Sequence, residues 1–231
     1  MEIRKLLDYV YPPRCPVCDR VSPEGICGDC RKKIPYIREA FCLKCGKPLE
    51  DEQQEYCADC LKKKHSFDLG RALFSYRGQI RSSLYRLKYG NKREYAKVYG
   101  REMARRFGRW IRQTGVTLIV PVPLHRSRRR ERGYNQAALL ARELGRCTGI
   151  PVEEKLLLRV RKTAPLKTMS KAERTANLRG AFAVSGRIPG GSRILLVDDI
   201  YTTGSTADAA AACLKGHGCS RVFLLTVAAG G

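Results

Sequence analysis

The chain has 231 residues, of which 43% are hydrophobic, so it can bury a core in one large domain or two smaller ones. Its 45 lysines and arginines outnumber 22 acids, and the formal net charge of +23 favours a polyanionic partner: nucleic acid, an acidic membrane surface or a polyphosphate ligand. The first residues carry charge too early for the apolar core of a secretory signal, so we expect none, and no apolar run approaches the roughly 18–20 residues of a membrane helix. We therefore expect a cytosolic protein with no transmembrane segment, whose charge allows peripheral contact with the inner membrane face.

Residues 1–11 predict a short amphipathic helix that ends at Pro12 and Pro13. Eight of the eleven cysteines follow in four C-x-x-C pairs: Cys15/Cys18, Cys27/Cys30, Cys42/Cys45 and Cys57/Cys60. This spacing lets one turn present two thiolates to a single tetrahedral zinc ion, so the eight ligands predict two structural Zn²⁺ sites. Disulfides are disfavoured because the chain carries no export signal.

The spacing leaves the pairing of these cysteines open. Joining the first two pairs and the last two pairs gives short loops and a double zinc ribbon, whereas a crossed pairing also supplies four thiolates to each ion. The segment is poor in large apolar residues, so metal supplies much of its stability. We assign residues 1–65 to this module, with Lys62 to His65 as a basic linker, and residues 66–231 to a second domain.

In the second domain, Arg71 to Tyr76 predict a strand, and residues 77–112 then hold twelve lysines and arginines but only two acids. Aromatic and aliphatic residues recur every four positions in this stretch, which predicts the buried stripe of a helix: Tyr95, Tyr99, Met103, Phe107 and Ile111. Tyr85, Lys88 and Tyr89 precede the stripe and are candidates for ligand contact, with core packing as the alternative.

A second strand is predicted from Thr117 to Val122, and the basic segment His125 to Gln136 follows as a loop, before a helix from Ala137 to Arg146. A basic loop at the C-terminal end of a strand lies where ligands bind in open α/β sheets. Lys88, Arg126 and Arg128 are therefore candidates for binding pyrophosphate. Residues 155–179, with eight basic residues and one acid, predict a mobile lid over it.

The most informative stretch runs from Arg193 to Thr206. Ile194 to Val197 predict a strand buried on both faces that ends at an acid pair, followed by a hydroxyl-rich turn and a helix from Ala207 to Leu214. Such a turn points backbone N–H groups and hydroxyls at one spot on a helix N-terminus, which suits a phosphate. Two carboxylates beside it suit a vicinal diol or a Mg²⁺ ion carried by a phosphorylated ligand. The predicted ribose 5-phosphate site comprises Asp198, Asp199, Thr202, Thr203, Gly204, Ser205 and Thr206. The remaining cysteines, Cys147, Cys213 and Cys219, are predicted to be buried thiols.

This stretch closely resembles the phosphoribosyl pyrophosphate (PRPP) signature of type I phosphoribosyltransferases. Together with the cysteine pairs, the order of four other motifs resembles the ComF family: Pro121-Val-Pro-Leu124, Arg132-Gly-Tyr-Asn-Gln136, Arg174-x-x-Asn177 and Gly180-Ala-Phe182. One departure is Leu166, which stands three residues after Thr163 where family members often carry glutamine.

The resemblance implies an α/β protein with the type I phosphoribosyltransferase fold, a parallel sheet flanked by helices, preceded by a small cysteine-rich zinc-binding module. It also implies PRPP with Mg²⁺ at the strand ends, and a role in natural transformation. In that role the protein handles single-stranded DNA on the cytoplasmic side, beside a helicase-like partner at the membrane face.

Two functions follow. The first is a protein that binds PRPP–Mg²⁺ and single-stranded DNA during DNA uptake. The alternative is an active phosphoribosyltransferase that transfers ribose 5-phosphate from PRPP to an unidentified nucleophile with release of pyrophosphate. No segment clearly forms a pocket for a free base, which favours the first, and a purely structural zinc adaptor leaves the acid pair unexplained. The acceptor, the oligomeric state and any coupling between DNA and PRPP remain open at this stage.

Overall fold

The computed structural model describes residues 12–161 and 180–230. The predicted helix at residues 1–11, most of the predicted lid, and Thr163 with Leu166 lie outside the described residues. The described elements in chain order are α1 (Gly28–Lys33), α2 (Ala58–Lys62), β1 (Leu69–Ser75), α3 (Gly78–Tyr89), α4 (Tyr95–Thr114), β2 (Leu118–Pro121), α5 (Arg126–Arg132), α6 (Gln136–Thr148), β3 (Leu157–Arg159), β4 (Phe182–Val184), β5 (Arg193–Tyr201), α7 (Ser205–Gly216) and β6 (Arg221–Ala229). No helix in this part of the chain combines the length and the apolar character needed to cross a membrane.

Four parallel strands form the central sheet in the order β1-β6-β5-β2, and β3 pairs with β4 in a separate antiparallel ribbon. Successive side chains of β5 point to opposite faces, so Leu195 and Val197 enter one core while Ile194 and Leu196 enter the other. The uninterrupted apolar run of this strand is thus explained by burial on both faces. Parallel strands also bring their C-terminal ends to one edge, which is where the acid pair lies.

The first core is covered by α3, α4 and α6, and the second by α7. The predicted helical stripe is confirmed, because Tyr95, Tyr99, Met103, Phe107 and Ile111 are all buried along α4.

The cysteine-rich module straddles the edge of the sheet. Cys15 and Ile26, from its first half, belong to the first core, whereas Cys42 and Cys45, from its second half, belong to the second. Residues 35–37 connect the halves and hydrogen-bond along β1, where the N–H of Ser75 donates to the carbonyl of Pro35 at 2.9 Å. The module therefore covers a sheet edge that would otherwise expose unpaired backbone groups.

The basic segment after β2 is a helix rather than the predicted loop. The side chain of His125 accepts a hydrogen bond from the N–H of Ser127 and caps α5, which ends where Gly133 adopts a φ of +78°. Arginine also favours helix intrinsically, so a short surface helix forms here without an apolar stripe.

Two further predictions are corrected, and one linker residue lies in the protein interior. Strand β5 continues to Tyr201 rather than ending at the acid pair, because Ile200 and Tyr201 still pair with β6. His65, the last residue of the predicted basic linker, is buried. Cys147 is exposed near the end of α6, where its side chain faces solvent rather than the sheet.

Candidate functional site

The eight paired cysteines converge in two separate groups, which are Cys15, Cys18, Cys27 and Cys30, and Cys42, Cys45, Cys57 and Cys60. Within each group the sulfur atoms lie within 4.8 Å of one another. The Sγ atoms of Cys18 and Cys27 are 3.7 Å apart, as are those of Cys45 and Cys57. Sulfurs on a tetrahedral zinc ion with Zn–S of about 2.3 Å lie about 3.8 Å apart, whereas a disulfide needs about 2.05 Å. The geometry fits two Zn²⁺ sites of four thiolates each, with sequential pairing.

A nearby arginine in the first cysteine group and a glycine turn in the second favour metal binding. Arg20 donates hydrogen bonds to the sulfurs of Cys18 and Cys27 at 3.5 and 3.9 Å. Burial alone would raise the pKa of Cys18, but the hydrogen bond from Arg20 helps to lower it to about 6, which favours the thiolate form of that residue. In the second group, Gly46 has a φ of +76°, and a Cβ there would lie 2.6 Å from the Cα of Arg71. Only glycine fits this turn, which directly follows the zinc-ligand candidate Cys45.

The acid pair lies at the C-terminal part of β5, and its two members differ. Asp199 is only 3% exposed, and its Oδ2 lies 2.6 Å from the Nζ of Lys88 on α3. The amide Nε2 of Gln136 donates to Oδ1 of Asp199 at 3.3 Å. Asp198 is partly exposed, and its Oδ1 accepts a hydrogen bond from the backbone N–H of Asp199 at 2.8 Å. The buried carboxylate of Asp199 is thus paired with a cation, whereas that of Asp198 is only partly exposed and has no ion-pair partner among the described residues.

The pKa values of the two acids are shifted in opposite directions. Desolvation raises the pKa of Asp198 well above its usual value, and the neighbouring charge of Asp199 raises it further. For Asp199, burial also opposes ionisation, but the Lys88 ammonium outweighs it and the pKa is lowered. Asp198 is therefore the member of the pair that takes up a proton first.

The turn after β5 leads directly into α7. Gly204 is the N-cap with a φ of +77°, and no side chain caps the helix. The first N–H groups of α7 thus lack a side-chain acceptor, which is the property that suits a helix N-terminus to an anion. Thr202 is exposed, and the hydroxyls of Thr203 and Ser205 lie 3.2 Å apart. The predicted residues of the ribose 5-phosphate site therefore occupy one continuous corner.

One set of hydrogen bonds that holds this corner in place was not predicted from the sequence. The carboxylate of Asp208, in the first turn of α7, accepts hydrogen bonds from the Nζ of Lys63 at 2.6 Å, Nδ1 of His65 at 2.9 Å and the N–H of Ser66 at 2.9 Å. The segment that leaves the second cysteine group thus holds the helix that carries the turn. An acid in the first turn of a helix is visible in the sequence, but its partners about 140 residues earlier are not.

The three basic residues predicted to bind pyrophosphate do not lie together in the structure. Lys88 reaches the acid pair, whereas Arg126 lies on α5 and lines a cavity of about 650 Å³ between α5, α6 and β3. Arg128 is half-exposed on the same helix. The cavity is basic, with Arg93, Arg126, Arg129, Arg142 and Arg159 in its wall, but none of the acid-pair or turn residues lines it. Arg159 lies close enough to Asp198 for their charges to interact, so the cavity borders the acid pair.

Known proteins resemble the chain over most of its length. The family described as "Double zinc ribbon domain" matches residues 6–61, and that described as "Phosphoribosyl transferase domain" matches residues 131–231. Competence protein F of Haemophilus influenzae is 32% identical over 87% of this chain and 89% of its own. The DNA utilization protein YhgH of Salmonella typhimurium is 30% identical over 87% and 89%.

Among solved structures, an adenine phosphoribosyltransferase from Saccharomyces cerevisiae overlaps 61% of this chain and 72% of its own, with 15% identity and a TM-score of 0.39. An overlap this loose adds little by itself, and the fold assignment rests on the matching domain families and the parallel sheet.

Proposed function

Because the chain belongs to the ComF family and joins a double zinc ribbon to a type I phosphoribosyltransferase fold, we propose that it binds PRPP–Mg²⁺ and single-stranded DNA in DNA uptake. The observation that carries the first part is the acid pair of β5 beside the uncapped turn of α7. The DNA part is supported by the net charge of +23 and by the relatives named for competence and DNA utilization. A helicase-like partner at the cytoplasmic membrane face belongs to the same proposal.

In this proposal each part of the corner has one task. The turn from Thr202 to Thr206 holds the 5-phosphate with backbone N–H groups and hydroxyls. Asp198 and Asp199 hold the ribose hydroxyls or the Mg²⁺ ion. A PRPP–Mg²⁺ complex brings its own cation to the acids, so Lys88 is free to turn from Asp199 to the pyrophosphate.

Titration calorimetry with PRPP and Mg²⁺ tests this assignment. Replacing both acids with the isosteric amides, Asp198→Asn with Asp199→Asn, is expected to weaken binding at least about a hundredfold, because charge-assisted contacts contribute about 1.5–3 kcal/mol each. Glu154→Gln, an acid outside the corner, is the matched control and should bind as the wild type does. Equal affinity for wild type and the double variant, with both shown folded by thermal melting, would contradict the assignment.

The phosphoribosyltransferase domain also favours a second candidate, catalysis of phosphoribosyl transfer. The bond between the ribose C1 and the pyrophosphate oxygen would break as a nucleophile bonds to C1, and pyrophosphate would leave with that electron pair. The basic side chains beside the corner would stabilise the departing charge. Incubation of the PRPP-loaded protein with bases, ammonia or DNA, followed by an assay for pyrophosphate, separates the enzyme from the binding protein. Nucleophile-dependent release establishes turnover, and its absence with all of them leaves binding as the function.

DNA binding is tested by its dependence on salt. Phosphate contacts release counterions, so affinity for single-stranded DNA should fall steeply between 50 and 200 mM salt, values typical of such assays. An affinity that stays constant over that range would contradict a charge-driven DNA contact.

A further inference from the structure

We propose that Tyr85 and Tyr89 form a stacking platform for the bases of a single-stranded nucleic acid at the edge of the acid-pair corner. The inference rests on the proposed DNA binding and adds to it a defined contact surface. We call the two side chains the tyrosine platform.

The platform is exposed without a structural reason. Tyr85 and Tyr89 lie four residues apart on one side of α3, are 64% and 59% exposed, and have ring centroids 4.9 Å apart. The other side of the same helix packs through Ile80, Leu84 and Leu87, all fully buried. Because the core contact of α3 is complete without the tyrosines, these two aromatic side chains, each more than half exposed, remain available to a ligand.

One arginine contacts the platform, and two more lie one turn away along the same two helices. The guanidinium carbon of Arg132 lies 4.9 Å from the ring centroid of Tyr89, and exposed Arg81 lies one turn before Tyr85 on α3. Arg128 lies one turn before Arg132 on α5. Among residues 12–161 and 180–230, no carboxylate is within ion-pairing distance of these three arginines. Their charge is therefore available to phosphates.

This combination selects a particular partner. Aromatic rings stack on any base whose face is exposed, while nearby cations follow the backbone phosphates, which together describe a single strand. A duplex hides the faces of its bases, and a membrane surface or acidic peptide offers charge without planar rings. We therefore commit to a single-stranded polynucleotide as the occupant.

The platform is continuous with the acid pair. Arg132, which covers Tyr89, also donates to the side chain of Gln136, and Gln136 donates to Asp199 at 3.3 Å. Lys88, the residue before Tyr89, reaches the same carboxylate at 2.6 Å. A base stacked on Tyr89 would thus lie beside the proposed ribose site, which places the strand next to PRPP.

Fluorescence anisotropy with two labelled oligonucleotides tests the proposal on the full-length, zinc-loaded protein. One is a thymidine oligomer, and the other is an abasic oligomer of the same length, with the same phosphates but no bases. Tyr85→Ala with Tyr89→Ala is expected to weaken binding of the thymidine oligomer at least about tenfold, since stacking on an aromatic ring commonly contributes that factor or more. The same variant should bind the abasic oligomer as the wild type does.

Matched controls separate stacking from other effects. Tyr85→Phe with Tyr89→Phe keeps the rings and should retain nearly full affinity. Tyr56→Ala, which removes a tyrosine that is 39% exposed in the zinc module, should also bind normally. Both targets of the alanine variant are exposed, so its thermal melting should match that of the wild type.

Each alternative outcome is informative. If the alanine variant binds the thymidine oligomer as tightly as the wild type, with the usual salt dependence, the platform is wrong and DNA binding stands. If affinity for both oligomers falls equally, the tyrosines do not stack bases, and the platform is again wrong. If the wild type binds neither oligomer, the proposed DNA function fails, and the platform fails with it.

Discussion

The hydrogen bonds to Asp208 predict that the segment after the second cysteine group stabilises the helix carrying the phosphate turn. The perturbation is Asp208→Asn, which keeps the shape of the side chain and removes its charge. In the wild type the side chain of Asp208 is 11% exposed and accepts hydrogen bonds from Lys63, His65 and Ser66. The amide can still accept from one donor, but it leaves the others without a charged acceptor.

The magnitude follows from these contacts. A hydrogen bond to a charged group contributes about 1.5–3 kcal/mol, and loss of one member of a buried pair costs about 3–5 kcal/mol. Because Lys63 is 40% exposed and can be rehydrated, we expect about 2–3 kcal/mol off the free energy of unfolding. Urea unfolding in excess zinc, followed by circular dichroism, measures it directly.

The pH dependence provides a second signature. Although burial alone would raise it, hydrogen bonds from His65 and Lys63 lower the pKa of Asp208. Its stabilising contribution is therefore fully present above the unfolded value of about 3.9 and is lost as the pH falls through the lowered value. The asparagine variant should lack this part of the acid dependence. Glu154→Gln, which removes the acid of a more exposed pair with Arg142, should change stability by less than about 1 kcal/mol. An equally small change in Asp208→Asn would refute the stabilising role of the hydrogen bonds to Asp208.

Three other perturbations have defined outcomes. Glu102→Gln should lower the free energy of unfolding by about 1–3 kcal/mol, measured in urea, because Glu102 is buried and Arg31 of the zinc module donates to both of its oxygens, at 3.1 and 2.8 Å. Gly46→Ala should cost more than about 2 kcal/mol and speed zinc release to a chromogenic chelator, because its Cβ would collide with the backbone of Arg71 at 2.6 Å in a left-handed conformation. Binding of PRPP–Mg²⁺ should release a proton from Asp198, because the raised pKa of this carboxyl group falls when a cation binds beside it. The affinity for PRPP–Mg²⁺ should therefore rise with pH. Calorimetry in buffers of different ionisation enthalpy measures the number of protons released.

Controls for these experiments come from the same structure. Arg105→Ala removes a partner of Glu102 that is 64% exposed, and should cost much less than Glu102→Gln. Gly28→Ala adds a Cβ with nothing within 4 Å, so stability and zinc release should stay near wild type. Asp198→Asn should release fewer protons on binding than the wild type. Equal effects in any variant and its control would contradict the corresponding reasoning.

The parts of the site that could be predicted are those whose residues lie close together in the sequence. The cysteine pairs and the acid pair with its turn are local patterns, and the structure gathers each into one place. The buried stripe of α4 was equally predictable, because a long helix that packs on a core repeats its apolar residues with a helical period. The pairing of the cysteines was not predictable, since spacing alone allows a sequential or a crossed pairing.

Contacts between distant segments were not predictable. Lys88 was expected near pyrophosphate, but its ion pair with Asp199 joins positions far apart in the chain. The hydrogen bond between His65 and Asp208 also joins segments that are distant in sequence. The same is true of the contacts between the cysteine-rich module and the two cores of the sheet. Helix α5 was missed because a seven-residue surface helix rich in arginine buries no stripe; its caps, His125 and Gly133, were the available signal.

We propose that Asp198, Asp199 and the turn that follows them bind PRPP with its metal ion. A crystal structure of the protein with PRPP and Mn²⁺ in place of Mg²⁺ tests it most directly, because manganese gives an anomalous signal. We predict a manganese peak and ribose density beside the two carboxylates, with the 5-phosphate against the first N–H groups of α7. PRPP and manganese bound in the arginine-lined cavity beside α5, with Lys88 still paired to Asp199, would show that the acid pair is not the PRPP site.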